Sequence, residues 1–400
     1  MIETDLPLVT IREKQLLPII QGGMGVGISA HKLAGTVANE GAIGTIASVE
    51  LRRLHHDIMH ETHRCRDHDT LFAGNLKALD REISAAKNIS NGNGFIAVNV
   101  MQAVKHHAEL VTQACKSGAD AIIMGAGLPF NLPDLTSGYD KVALIPILSE
   151  IRGIRAVLKR WMRKKRLPDA IVIEHPGFAG GHLGATKMEE INDQRFAYEN
   201  VLHETRELFT KLGIEQDQIP LFAAGGINSH ERIQTLLDNG ANGVQIGTPF
   251  AVTEEGDANI KFKQTLINAT ADDIVTFMSC AGLPARAVLT PWLERYLKKE
   301  SSLRASAGTR KASCPRNLEC LTHCGFKDGN PEAGQFCIET QLAAAQRGDV
   351  KRGLFFRGTE ALPFGKEIRS VHELLVLLLT GQKIPDILSS MAARHPLLFP

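Results

Sequence analysis

Eight short, almost wholly apolar runs recur along the chain, most of them followed by a stretch with helical spacing. The runs are Pro18–Gly23, Ala42–Ser48, Phe95–Met101, Asp120–Ala126, Val142–Ser149, Asp169–His175, Pro220–Gly226 and Gly243–Phe250. They are nearly all apolar rather than alternating, so each reads as a strand buried on both faces, the pattern of a parallel sheet. Helices are expected between them at Ala30–Asn39, Leu76–Ile89, Ala103–Ser117, Ile151–Arg166, Arg195–Leu212 and Glu231–Asn239. Two of these stop at Gly118 and Gly240, and both glycines open the same phrase, Gly-Ala-Asp and Gly-Ala-Asn, before the next strand. Such alternation predicts an α/β fold, a (β/α)8 TIM barrel, with a doubly wound open sheet as the alternative. The barrel is expected over residues 1–275, and residues 276–400 form a mixed, mainly helical C-terminal extension.

Composition excludes several classes. A chain of 400 residues with 44% hydrophobic and 22% charged content is a folded globular protein. A formal charge of +1 gives no field that steers it to nucleic acid or a membrane. The strongest apolar run, Leu374–Leu379, is far short of the roughly 20 residues of a membrane span. The start, Met1-Ile-Glu-Thr-Asp-Leu, lacks the basic and apolar regions of a secretory signal. Seven cysteines, four of them crowded between Cys314 and Cys337, look like ligands rather than a disulfide framework and suit a reducing cytoplasm.

The glycines gather where the strands end, which is where barrel enzymes place their chemistry. Strand one ends in Gln21-Gly-Gly-Met-Gly-Val-Gly27, strand six in His175-Pro-Gly-Phe-Ala-Gly-Gly-His182, strand seven in Ala223-Ala-Gly-Gly-Ile227, and strand eight carries Gln245-Ile-Gly-Thr248. Gly225, Gly226, Gly247 and Thr248 read together as a phosphate cradle, because glycine lets a phosphate approach the backbone closely. The first glycine loop, with Glu50 further on, superficially suggests a Rossmann dinucleotide site. Its spacing is G-x-G-x-G rather than G-x-G-x-x-G, so a backbone wall against a flat cofactor ring fits better. His182 has glycines on both sides, which leaves its imidazole open to a substrate; it can take a carbon-bound proton or hydrogen-bond an anionic substrate near neutral pH. The bland alternative is a histidine that caps a turn. His175 and Glu174 stand beside it in sequence.

Pro18-Ile-Ile-Gln-Gly-Gly-Met-Gly, Ala97-Val-Asn-Val100, Ala179-Gly-Gly-His-Leu-Gly184, Ala223-Ala-Gly-Gly-Ile227 and Gly243-Val-Gln-Ile-Gly-Thr-Pro-Phe250 resemble the nitronate monooxygenases, in the same order, over roughly residues 15–290. That group includes the flavin-dependent enoyl-[acyl-carrier-protein] reductases. The resemblance implies an FMN-dependent oxidoreductase. Asn99, Gly180, Gly181, Gly225, Gly226, Gly247 and Thr248 would contact FMN, Gly22, Gly23 and Met24 would lie near the ring, and His182 would be the catalytic base or substrate-orienting group. The implied reaction is oxidation of an alkyl nitronate by O2 to a carbonyl compound and nitrite. An NAD(P)H-dependent reductase of an enoyl thioester, served by an acyl carrier protein, is the alternative, and a non-catalytic phosphate-ligand sensor is another. Phe178 departs from the acidic residue more usual before Ala-Gly-Gly-His, and the extension exceeds the family's compact forms.

Three further groupings carry candidate chemistry. Cys314, Cys320, Cys324 and Cys337 can bind zinc or an iron–sulfur cluster, or pack as reduced thiols in a small core. Their spacing resembles the cluster segment that follows the flavin barrel in some dienoyl reductases, with a longer first gap; Cys280, Cys115 and Cys65 look isolated. His55, His56, His60, His63 and His68 crowd after strand two and read as a polar helix surface rather than a metal site. Arg152, Arg155, Lys159, Arg160, Arg163, Lys164, Lys165 and Arg166 surround Trp161 and read as a solvated basic helix face, with acidic-carrier or coenzyme A docking as the sharper option.

Overall fold

The computed structural model describes residues 2–309, 314 and 320–382. Eight parallel strands close into a barrel in sequence order: β1 (Ile19–Gln21), β2 (Ile43–Ala47), β3 (Phe95–Met101), β4 (Ala121–Gly125), β5 (Ala143–Leu148), β6 (Ile171–Glu174), β7 (Leu221–Ala224) and β8 (Gly243–Ile246). Each falls within an expected run. The helices α1 (His31–Asn39), α2 (His68–Ser90), α3 (His107–Lys116), α4 (Ile151–Met162), α5 (Tyr198–Leu212) and α6 (His230–Asp238) surround them. Gly118 and Gly240 follow α3 and α6 with φ of +85° and +97°, the left-handed conformation that a helix stop asks of glycine.

Strand alternation sorts two cores. Ile20, Ile43, Ala97, Ile123, Ile145, Val172 and Phe222 point inward and fill the barrel. Ile19, Ile46, Ile96, Val98, Ile122 and Ile171 point outward under the helices. The barrel is therefore packed, not a pore. An N-terminal hairpin, Val9–Ile11 with Lys14–Leu16, plugs its lower end, adding Val9, Ile11 and Leu16 to the inner core.

The extension is built into the barrel. A hairpin of β9 (Ile274–Met278) and β10 (Pro284–Val288) pairs with the two-residue strand Gly181–His182 that follows β6. Further on, α7 (Val371–Thr380) packs against both α1 and α6, so the ring position after strand eight is filled by residues far along the chain. Its start is set by a capping box between Ser370 and Glu373. Val371, Leu374, Leu375, Leu378 and Leu379 are buried in the outer core, each worth roughly 1.5–3 kcal/mol. The apolar run is thus a core helix, and among the described residues no helix is long and apolar enough to cross a membrane.

Candidate functional site

The C-terminal ends of the barrel strands surround a cavity of about 350 Å³. Gly22, Gly23, Met24, Asn99, Gly180, Gly181, Gly225, Gly226, Gly247 and Thr248 all line it, and so does His182. The glycines serve different ends. A Cβ on Gly23 would stand 2.4 Å from Asn99 Cβ, so the loop after β1 lies directly on that side chain. Gly226 has φ +71° and a Cβ there would meet Phe178 at 2.8 Å. Gly247 is different: only Met24 Sδ comes near, at 3.8 Å, and its face is open. Among the described lining residues, Ser48 Oγ, Gln245 Oε1 and Arg357 Nε are buried without a hydrogen-bond partner. Such atoms cost free energy unless a ligand satisfies them.

His182 is positioned by the extension as much as by β6. Its strand is held in register with Ala285 and Gly181 with Arg286. The buried Arg286 guanidinium donates to the carbonyls of Pro176, at 3.1 Å, and Ala179, at 2.5 Å, which fixes the turn that leads to the histidine. His182 Nε2 lies 3.0 Å from Ser279 Oγ, and its ring meets Phe356 edge-on at 5.6 Å. Burial pushes the imidazole down to about 4, so it is neutral at pH 7. Burial pushes the Glu174 carboxyl, at the end of β6, up to about 7. Both side chains keep some accessible surface and both line the cavity.

Residues 356–362 form a wall that sequence reasoning missed. A Cβ on Gly180 would stand 2.5 Å from the carbonyl carbon of Arg357, so this glycine accommodates the extension's backbone. Gly358 N–H donates to Thr248 Oγ1 at 3.1 Å, and Thr359 N–H to the Phe178 carbonyl at 3.3 Å. Arg357 is 5% exposed and brings a cation to the glycine-rich side of the cavity. The Phe-Phe-Arg-Gly-Thr phrase at 355–359 was the available signal.

The other groupings fall as follows. Glu50 is ion-paired to Arg52 at 3.0 Å and accepts from Asn75 Nδ2 at 2.6 Å, so its carboxylate is used within the protein. His56, His60 and His63 are exposed around a short helix, while His68 leaves that group and meets His106, Nε2 to Nε2, at 3.2 Å on the cavity wall. Arg152, Arg155, Lys159, Arg160, Arg163 and Lys165 are exposed, whereas Trp161 is buried and donates to the Pro129 carbonyl at 2.9 Å. Cys314, Cys320, Cys324 and Cys337 line one small second cavity. Cys280 is not isolated: it is fully buried in a core cluster against which Cys320 and Cys324 pack. Among the described residues, no three His, Cys, Asp or Glu side chains stand together in a ready-made metal site.

The chain is similar to curated proteins named probable nitronate monooxygenase. That of Staphylococcus saprophyticus is 27% identical over 289 residues, 70% of this chain and 77% of the relative. That of Bacillus subtilis is 25% identical over 285 residues, 69% and 78%. Among solved structures, FabK from Thermotoga maritima aligns with a TM-score of 0.61 at 19% identity, covering 94% of this chain and 95% of that one. A nitroalkane oxidase from Streptomyces ansochromogenes aligns with a TM-score of 0.57 at 18% identity, covering 94% and 97%. These two likenesses speak to the fold. The family described as nitronate monooxygenase matches residues 10–381, and the chain belongs to it.

Proposed function

We propose that the protein is an FMN-dependent oxidoreductase that oxidises alkyl nitronates with O2 to a carbonyl compound and nitrite. The observation that carries this reading is a neutral, half-buried histidine facing the same cavity as a glycine cradle. FMN fits the residues present. Gly225, Gly226, Gly247 and Thr248 would hold its phosphate, with Arg357 as countercharge. The unpartnered Ser48 Oγ and Gln245 Oε1 offer polar partners, and Gly22, Gly23 and Met24 supply a wall for a flat ring, with Asn99, Gly180 and Gly181 beside it. FMN there supplies the acceptor for the substrate's electrons and their route to O2.

His182 supports a nitronate rather than a neutral nitroalkane as the substrate. A base whose conjugate acid titrates at about 4 is poorly matched to removing a carbon-bound proton at pH 7. A neutral imidazole still donates one N–H, which is what the anionic nitronate oxygens need. The outer cavity is walled by Phe72, Leu110, Leu321 and Leu342, which favours an aliphatic chain on that nitronate. The same apolar arm favours a second reading, reduction of an enoyl thioester by NAD(P)H.

The cleanest test is Gly247→Asp. The site has room for a side chain, so the fold should survive while the carboxylate repels the phosphate and flavin is lost. Full flavin occupancy in a folded Gly247→Asp protein would sink the cofactor site. Anaerobic mixing separates the two reactions: bleaching of the flavin by nitronate supports the oxygenase, and rapid bleaching by NAD(P)H supports the reductase.

A further inference from the structure

We propose that Cys314, Cys320, Cys324 and Cys337 form one tetrathiolate metal centre that braces the rim of the barrel cavity. The four residues lie within one stretch of chain and line a single small cavity, closed otherwise by residues such as Leu321, Phe326 and Ile338. None is in a disulfide. Thr340 Oγ1 donates to Cys337 Sγ at 3.3 Å, Cys324 opens the short helix Gly325–Asp328, and the buried Cys280 belongs to the core against which Cys320 and Cys324 pack. A hydroxyl donor of this kind orients a metal-bound thiolate and tunes it.

Four thiolates around one small cavity repel one another without a cation, and as thiols they are prone to oxidation. A thiophilic ion resolves both. The side chains surround the cavity rather than clasp a point, so binding draws them inward by side-chain rotation and couples metal to local order. The shared chemistry is thiolate ligation, by zinc alone or by iron with sulfide.

The position gives the centre a task. Lys105 N–H donates to the Cys320 carbonyl at 3.2 Å, and Thr322 N–H to the Ala103 carbonyl at 2.9 Å. Val104 and Leu321 form a bridge between them. This stitches the cysteine segment to the loop after β3, and that loop places Val104 and His106 on the wall of the large cavity. Cys320 lines both cavities. The metal therefore holds one rim of the substrate site in place.

The test uses the full chain purified without oxygen. Elemental analysis and an acid-labile sulfide assay should find either about one zinc per chain or iron with matching sulfide; both outcomes support the centre and distinguish its two forms. Cys324→Ser and Cys337→Ser should each lose at least about nine-tenths of the metal, while Cys115→Ser, in the barrel's outer core, keeps it. Should the serine variants fail to fold, chelation of folded wild-type protein replaces them and should lower Tm. Wild-type protein that holds no zinc or iron, even after reconstitution, overturns the proposal. So does metal retained in both serine variants. Flavin measured on the same samples keeps this result separate from the proposed oxidase reaction.

Discussion

His182 Nε2 stands 3.0 Å from Ser279 Oγ, although 97 residues separate the two. Ser279 belongs to the tight turn between β9 and β10, and its hydroxyl also accepts the N–H of Ala281 at 3.1 Å. The hydroxyl has one hydrogen to give. Given to Nε2, it leaves the imidazole N–H on Nδ1, free to meet an anion. Ser279 is thus a positioning residue for the histidine.

Ser279→Ala should keep flavin bound and lower kcat for a nitronate about tenfold, the order of one lost hydrogen bond. Ser279→Thr should restore most of it. An unchanged kcat in Ser279→Ala would show that packing against Phe356 alone orients the ring.

Acid stability should report His182 directly. Its folded value of about 4 lies below the ordinary 6.5 because burial disfavours the cation. Between those values the unfolded chain binds the extra proton and the folded chain does not, so this group's share of stability is lost as pH falls from 6.5 to 4. His182→Gln removes that dependence. The difference in Tm between variant and wild type should move in the variant's favour on going from pH 7 to pH 4.5. A constant difference across that range counts against a buried, neutral histidine.

Much of the barrel was legible in the sequence, because strands buried on both faces cannot hide: every apolar run became a strand. Boundaries were less so. The run Gly243–Phe250 ends as a strand at Ile246, because Gly247 and Pro249 turn the chain into a short helix. The helix expected at Leu76 begins at His68, where Asp67 Oδ2 accepts the Thr70 N–H at 2.9 Å; its polar first turn gave no apolar period to read. The glycine loops were readable since each is a local signal at a strand end. Ser279, Phe356 and Arg357 were not, because their place in the cavity depends on the extension folding back onto the barrel. The same reason conceals α7 as the helix that follows strand eight in space.

Glu174 should act on stability in the opposite sense to His182. Its folded value of about 7 is above the ordinary 4.5, again through burial. From pH 4.5 to 7 the folded chain keeps a proton that the unfolded chain has released, so stability falls as pH rises through that window. Glu174→Gln abolishes the effect. The variant should gain in Tm over wild type between pH 5 and 8, and a pH-independent difference would mean that the carboxyl ionises freely in the fold.

Arg357 tests whether the extension completes the cofactor site. Among the described residues its Nε is buried without a partner, and its Nη2 makes a long contact, 3.4 Å, to the Glu360 carbonyl. Burial lowers its affinity for a proton, with Asp273 opposing, yet a guanidinium stays charged at any ordinary pH. A buried cation so poorly satisfied is costly unless an anion arrives. Arg357→Met keeps the bulk and removes the charge. It should weaken FMN binding by tenfold or more while raising or preserving the Tm of flavin-free protein, because the burial cost disappears. Riboflavin, which lacks the phosphate, should bind wild type and variant alike. Equal loss of riboflavin and FMN would instead mean that Arg357 shapes the wall and does not meet the phosphate.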